Sequence, residues 1–424
     1  MRIPTLIEFS FAASLLCIAC SQFGGTNSAK TNLTPEEIAA SIPPLLDRNE
    51  TLRLGKEWDN VQNIYGAQRQ AIIANPTALE PRLKLAELFI QEARVTGEHP
   101  HYYPAALKML DEVLAQIPQD DIAKMKIEQK DLLFRSLSAK AGVQLSLHDF
   151  SSALATANKA VQINPYNAQI YGALVDAHVE LGNYAKAVEM ADKMVSIRPD
   201  LRSYSRVSYL REIHGDVPGA VEALVMAVKA GFPGQEATAW ARLTLGNIHK
   251  TYGDWKKAET QYQMILLERE NYPFALAMLA EVEMQKKQYD KAEELLKKAC
   301  DIAPEVSFYE TLAALYRETG RIEEYQALAS QILEMMQEDT DKGHNMSMEM
   351  AEFHLELQPD YDKALRLALS EYNKRPANID VNRLLARIYL AKKDSVKAKE
   401  HLVKAAATDS KHPELMKLKK MLGS

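Results

Sequence analysis

Apolar residues recur along most of the chain with the spacing of amphipathic helices, and short polar segments separate one helical stretch from the next. Between residues 168 and 200, two such stretches are interrupted at Gly182, and the second ends before Pro199. Glycine tolerates the positive φ of a tight turn, and proline cannot continue a helix interior, so both residues mark helix boundaries. The pattern predicts pairs of short helices joined by tight turns.

These helix pairs repeat with a period of 34 residues, the separation of Pro165 and Pro199. The recurring positions are Leu174, Gly182, Tyr184 and Ala187 in one unit; Leu279, Ala280, Tyr289, Ala292, Ala299 and Pro304, counted from Pro273, in another; and Leu312, Ala313, Tyr316, Gly320 and Ala329 in the next. Small residues let the two helices of a unit approach closely, and the tyrosines at the start of the second helix fill the space behind the turn. Since no unit can bury its apolar stripe alone, the units must stack.

These residues resemble the tetratricopeptide repeat, a pair of antiparallel helices per unit. The resemblance implies an all-α fold, a right-handed superhelical solenoid of antiparallel helix pairs. It covers nearly everything after residue 50, but it says little about function because the repeat serves many partners.

The predicted boundaries follow from this register. We expect a signal peptide at 1–19, a flexible tether at 20–33, an N-terminal helical region with one divergent repeat at 34–133, about eight repeats at 134–410 and a C-terminal capping helix at 411–424. Thr34-Pro35-Glu36-Glu37 has the form of a capping box and should open the first helix. In the divergent repeat, residues 96–103 are predicted to form an insertion in the turn.

Length and composition agree with one continuous stack. A chain of 424 residues would otherwise suggest about three domains. With 47% hydrophobic and 25% charged residues, the chain is neither broadly disordered nor a multi-span membrane protein. The net charge of −6 argues against general nucleic-acid binding.

The N-terminus resembles a bacterial lipoprotein signal. Arg2 precedes an apolar run of about eleven residues, too short to span a bilayer, and the small residue Ala19 stands before Cys20. The resemblance implies cleavage and lipidation at Cys20, which would place the chain on a membrane of the cell envelope. Cys17 stands where leucine is usual, so plain secretion after Ala19 and an unexported chain remain alternatives.

Sequence motifs for catalysis are absent. No phosphate-binding glycine loop and no Gly-x-Ser-x-Gly elbow occurs. His99 and His101 are interpreted as solvated loop residues flanking Pro100, because no third ligand stands at a recognised spacing. Cys300 is interpreted as an inert thiol packed among Leu295, Leu296 and Ile302. We therefore predict no catalytic residues, no metal site and no cofactor.

The candidate binding residues form a strip on the first helices of three consecutive units. Arg202, Arg206 and Tyr209 follow at i, i+4 and i+7, so they share a helix face. The remaining members of this inner strip are Trp240, Asn247 and Phe274, which we place beside them on the concave side. Guanidinium groups beside aromatic rings suit carboxylates next to an apolar anchor.

A structural role competes with this binding hypothesis. Arg206 and Arg211 could pair with Glu212 and Asp216 and hold adjacent units together. The segment 203–216, followed by 238–246, resembles a subgroup of tetratricopeptide proteins of undefined function. It departs from the carboxylate-clamp pattern of chaperone-binding relatives, which requires Lys and Asn across three units.

The sequence thus predicts a non-enzymatic, membrane-tethered scaffold that holds a peptide or partner protein in its concave groove, as part of an envelope assembly. Two alternatives stay open. One is a metal-dependent enzyme or enzyme accessory that uses the insertion at 96–103. The other is a cytosolic adaptor with an uncleaved N-terminus.

Overall fold

The computed structural model describes residues 34–118 and 122–423; the predicted signal peptide, the tether and Cys20 lie outside the described residues. Within them the chain forms 21 α-helices and no strand. The helices are α1 Pro35–Ser41, α2 Gly55–Ala74, α3 Glu80–Thr96, α4 His99–Gln116, α5 Ile127–Ser146, α6 Phe150–Ile163, α7 Ala168–Glu180, α8 Tyr184–Ile197, α9 Leu201–Ile213, α10 Val217–Ala230, α11 Glu236–Thr251, α12 Trp255–Glu268, α13 Pro273–Gln285, α14 Tyr289–Ile302, α15 Val306–Glu318, α16 Ile322–Asp341, α17 Ser347–Glu356, α18 Tyr361–Lys374, α19 Ile379–Ala391, α20 Ser395–Ala405 and α21 Pro413–Leu422. The predicted all-α solenoid of helix pairs is confirmed.

From α3 to α20 each odd-numbered helix packs against the even-numbered helix that follows it. The predicted capping box opens α1, where Thr34 accepts from the amide of Glu37 and the Glu37 side chain accepts from the amide of Thr34. Aspartates start many of the second helices by accepting the amide hydrogen three residues on, which satisfies a helix-end donor. These N-caps are Asp149, Asp216, Asp254, Asp360 and Asp394.

Small residues set the close approach within each pair. Ala187, Ala258 and Ala292 are fully buried, as their recurring positions predicted. The buried apolar side chains form a series of clusters along the stack instead of one central core. Each cluster combines side chains from successive pairs, so burial in this chain comes from stacking.

The region predicted as an inserted loop is helical, which corrects that expectation. Gly97, in the left-handed conformation at φ 75°, ends α3, and α4 starts at His99. Pro100 lies in the first helical turn, where its missing amide hydrogen costs nothing. His99 and Tyr103 then stack at 5.1 Å between ring centroids. His99 is therefore part of a packed helix start and not a solvated loop residue.

One turn of the superhelix takes just under six units, and consecutive superhelical turns are in contact. This contact is called the closure. Residues separated by 194 to 198 positions meet where the turns within helix pairs of one superhelical turn touch the loops between helix pairs of the next. Arg375 pairs with Glu180, and the Asn378 side chain donates to the Glu180 carbonyl at 2.9 Å. The Ile379 amide donates to the Tyr184 hydroxyl at 2.8 Å.

Two further contacts join the same two superhelical turns. The Asn345 amide donates to the Leu147 carbonyl at 3.0 Å. Gly182 lies so close to Ala377 that a Cβ at residue 182 would fall 2.5 Å from the Ala377 carbonyl carbon. These contacts span nearly half the chain, so they fix the pitch of the superhelix and enclose its interior.

We predict that Gly182→Ala separates the contacting superhelical turns, whereas Gly320→Ala does not. Both glycines occupy the turn between paired helices at nearly equal φ, 78° and 76°. Alanine in this left-handed conformation costs about 1–2 kcal/mol at either site. Only at residue 182 does the new Cβ also collide with the next superhelical turn, since nothing lies within 4 Å of a Cβ at residue 320.

Small-angle X-ray scattering and chemical unfolding distinguish the two variants. We expect a larger radius of gyration and a larger loss of unfolding free energy for Gly182→Ala than for Gly320→Ala. Identical behaviour of the two variants would contradict the closure.

Candidate functional site

The inner strip lies on odd-numbered helices, which contact one another along much of the stack and form its inner layer. The surroundings of Tyr209 show which groups lie opposite this inner layer. Burial, and after it the carboxylates of Asp380 and Glu180, raises the pKa of the Tyr209 hydroxyl well above its usual range. Because 39% of Tyr209 is nevertheless exposed, the ring borders the accessible interior of the superhelix, across from Asp380 of the next superhelical turn.

Arg202 and Arg206 share a face but differ in their contacts. The Arg206 Nε donates to the Asp176 carboxylate at 2.9 Å and to the Gly172 carbonyl at 3.1 Å. Arg206 therefore joins α9 to α7 of the preceding unit, so its predicted pairing with Glu212 or Asp216 is wrong. Arg211 does pair with Asp216, at 3.3 Å.

Arg202 is exposed and forms no ion pair among the described residues, whereas Arg198 pairs with Asp200. Burial within the interior, and then the positive charge of Arg94, lowers the pKa of Arg202. Two guanidinium groups from helices three units apart, α3 and α9, thus lie near each other across the interior. This arrangement leaves Arg202 available to a carboxylate from outside the chain.

Trp240 and Phe274 belong to an aromatic row that runs along the stack at the 34-residue period. The Trp240 and Phe274 rings meet edge to face at 5.5 Å, and Phe274 meets Phe308 at 5.2 Å. Phe308 is buried, Phe274 is half-buried and Trp240 is 50% exposed. Arg206 occupies the equivalent position one unit before Trp240. The aromatic row therefore ends at Trp240, whose exposed indole ring lies next to α9.

Asn247 forms a hydrogen bond within its own helix pair. Its side-chain carbonyl accepts from the buried Tyr262 hydroxyl at 2.8 Å. Tyr262 in turn packs against Gly246, where a Cβ would fall 2.3 Å from the ring. Asn247 therefore contributes to the α11–α12 pair, and the accessible part of the strip is Arg202, Tyr209 and Trp240.

The chemical candidates outside the strip have no catalytic geometry. Cys300 is half-buried, and burial raises the pKa of its thiol to about 12, so the thiolate is scarce at neutral pH. Within residues 34–118 and 122–423, no three His, Cys, Asp or Glu residues are grouped so that they could hold a metal ion. His101 contacts the Pro44 carbonyl through Nε2 at 2.9 Å.

Sequence reasoning missed the surroundings of His99 and His344. Both histidines line a cleft between the superhelical turns together with Glu305, Asp339 and Glu349. The 34-residue period contains no signal for this space, because its walls come from units about 200 residues apart.

Comparisons with known proteins identify the repeats. Two family models, each described as a tetratricopeptide repeat, match residues 144–212 and 275–306. The chain therefore contains tetratricopeptide repeats, as the spacing predicted. It is similar to the small glutamine-rich tetratricopeptide repeat-containing protein 2 of Saccharomyces cerevisiae, with 28% identity over 202 residues, 44% of this chain and 54% of the relative. The chain thus spans about half the length of this curated relative.

Similar solved structures share only the general architecture. They include the APC/C hetero-tetramer Cut9-Hcn1, with a TM-score of 0.46, 16% identity, and 88% of this chain and 61% of that chain covered. Another is pilF of Pseudomonas aeruginosa, with a TM-score of 0.39, 14% identity, and 49% of this chain and 93% of that chain covered. At these values the similarities say nothing about function.

We predict that Arg206→Ala destabilises the protein and Arg202→Ala does not. Loss of the partly buried bond to Asp176 should lower the unfolding free energy by up to about 1 kcal/mol. Removal of the unpaired Arg202 side chain should change it by less than about 0.5 kcal/mol. Urea unfolding of both variants, with an Arg206→Ala/Asp176→Ala cycle, measures the difference. Equal effects at the two positions would show that the assigned pairing is wrong.

Proposed function

We propose that this protein is a non-enzymatic scaffold that holds a peptide or partner protein on the inner face of its superhelix. Its contact residues are the exposed strip members Arg202, Tyr209 and Trp240. Of the other strip residues, Phe274 supports the Trp240 ring edge to face, whereas Arg206 and Asn247 hold neighbouring helices together.

The observation that carries this proposal is the exposure of the Trp240 indole and of the unpaired Arg202 on two contacting inner helices, α11 and α9. A half-exposed tryptophan supplies a large apolar contact, and an unpaired arginine supplies a bidentate contact to a carboxylate. Tryptophan and arginine are also the residue types that contribute most at protein interfaces. Because the closed stack is rigid, little ordering cost opposes binding.

The proposed partner segment therefore combines an apolar side chain with a nearby carboxylate, either an acidic residue or a C-terminus. The carboxylate would meet Arg202 with Arg94 close by, and the apolar side chain would cover Trp240. A free peptide or a flexible terminus suits the enclosed interior better than a flat protein surface does.

We further propose that the chain is tethered to a membrane by a lipid at Cys20 and takes part in an envelope assembly. The support is the sequence around Ala19-Cys20 and the polar segment that follows it. None of the described helices is long and apolar enough to span a membrane.

The alternative of a metal-dependent enzyme component has one supporting observation, since the segment 96–103 does face acidic side chains. It requires bound metal in stoichiometric amount, which elemental analysis of the purified protein measures directly.

We predict that Arg202→Ala with Trp240→Ala abolishes partner capture and leaves the melting temperature nearly unchanged. Both side chains are exposed, and the edge-to-face contact of Trp240 with Phe274 is the only ring contact that the double variant removes among the described residues, so the fall in melting temperature should be small. Crosslinking pull-down from native membranes, followed by circular dichroism melting, measures the two outcomes. The matched control is Phe232→Ala with Arg366→Ala, which removes one exposed aromatic and one exposed arginine elsewhere. Retained capture in the strip variant would refute the binding site.

Acyl labelling tests the tether separately. We expect labelled lipid on the wild-type chain, globomycin-sensitive processing, and no label on Cys20→Ala. A chain that is processed without acylation would instead be a secreted protein.

A further inference from the structure

A cleft lies apart from the inner strip, where the two superhelical turns meet. Its volume is about 590 Å³, within the roughly 300–1,000 Å³ of small-ligand pockets. The α3–α4 turn forms one wall, and the α14–α15 turn with the end of α16 and the start of α17 forms the other. The walls are tightly apposed at one edge, where a Cβ at Gly97 would lie 3.1 Å from Glu305 Oε1.

The lining of this cleft is strongly acidic. One lysine, Lys342, stands against six carboxyl groups. The acidic residues are Glu98, Glu305, Glu310, Glu338, Asp339 and Glu349. They come from five different helices or turns, so the acidity is a property of the assembled cleft and not of one charged helix face.

The histidines of the cleft do not offset this charge near neutral pH. Burial lowers the pKa of His99 to about 4, and burial together with His148 and His99 lowers that of His344 to about 3. Both rings are therefore neutral at pH 7. His101, the third lining histidine, faces the Pro44 carbonyl through Nε2.

The carboxyl groups are crowded, and among the described residues none of them pairs with a lysine or arginine; Glu305 and Glu349 have only histidines, His99 and His148, at 3.6 Å. Burial, and then Asp339, raises the pKa of Glu305 to about 7. Burial, and then Glu352 and Glu349, raises the pKa of Glu310 to about 7. Burial, and then Glu338 and Glu349, raises the pKa of Asp339 to about 6. A positive charge in the cleft would reverse these shifts by stabilising the ionised forms.

Several polar atoms of the lining also lack partners. Asp339 Oδ1, Glu349 Oε2 and both ring nitrogens of His344 are buried and have no hydrogen-bond partner among the described residues. Buried polar atoms are normally satisfied, since leaving one unpaired costs about 1–3 kcal/mol. Two of these atoms are carboxylate oxygens that can only accept when ionised, so the missing group is a hydrogen-bond donor.

We propose that this cleft binds an alkylammonium group on an apolar stem, the chemistry shared by a lysine side chain of a partner and a free polyamine. An ammonium group offers three donors and a positive charge to the unpartnered carboxylates. Val306, Met335 and Met346 supply apolar lining for the methylene stem. A metal ion would require a ligand group that the described residues do not form.

Isothermal titration of the full chain at pH 8 with three probes tests this assignment. The probes are a tri-lysine peptide, the same peptide with acetylated lysines, and spermidine. We expect tri-lysine or spermidine to bind with one-to-one stoichiometry and the acetylated peptide to bind at least tenfold more weakly. The tighter of the two cationic probes identifies the source of the ammonium group.

The variant Glu305→Gln with Asp339→Asn should weaken binding of the cationic probe at least tenfold. The matched control, Glu294→Gln with Glu334→Gln, removes the same charge from exposed positions outside the cleft and should bind as the wild type does. Equal weakening in both variants would reveal general charge attraction and would overturn the site. Binding of Mn²⁺ or Zn²⁺ alone, without binding of either amine, would overturn it in favour of a metal.

The pH dependence supplies a second readout. Amine affinity should fall as the pH is lowered from 8 to 6, because Glu305 and Glu310 take up protons in this range while the amine stays charged. An affinity that does not change between pH 8 and pH 6 would contradict an ammonium site at these carboxyl groups. Since the cleft shares no residue with the inner strip, failure here leaves the scaffold proposal intact.

Discussion

Each helix pair of this chain presents an apolar stripe that only the next pair can cover, and this stacking constraint governs the rest of the molecule. It explains why the buried side chains form a row of clusters along the chain. It also fixes a small rotation between successive pairs. Because that rotation accumulates, residues 194 to 198 positions apart meet, and the stack becomes a closed coil with an interior.

The contact between superhelical turns gives a few side chains surroundings that the repeat alone does not create. Tyr209 faces Asp380 of the next superhelical turn, and Arg202 lies near Arg94 from three units earlier in the same turn. The acidic cleft exists only because the α3–α4 turn meets the α14–α15 turn. Two surfaces of different chemistry therefore arise from one architecture, one with an aromatic ring and guanidinium groups and the other with carboxylates.

Much of the fold could be predicted because helix pairs depend on local signals. Gly182 and Gly320 marked turns, Thr34 marked a helix start, and the buried alanines marked the close approaches within pairs. Pro100 misled the prediction, since proline stands equally well in a loop and in the first turn of a helix.

The candidate site was only partly predictable. The spacing of Arg202, Arg206 and Tyr209 predicted their common helix face. It could not show that the Arg206 guanidinium is already hydrogen-bonded to the Asp176 carboxylate. That partner lies 30 residues earlier, one period less a helical turn, and a search at this offset would have found it. The cleft could not have been found in this way, because the superhelical pitch that brings Glu305 to Gly97 leaves no periodic signal in one sequence.

Hydrogen exchange at the Ile379 amide tests the closed coil most directly. This amide is the first of α19, so it has no partner within its own helix, and its bond goes to the Tyr184 hydroxyl 195 residues earlier. The account predicts slow exchange in the wild type and rapid exchange in Tyr184→Phe, with the first amides of other helices, such as Glu236, fast in both. An Ile379 amide that exchanges as fast as Glu236 in the wild type would contradict the closure.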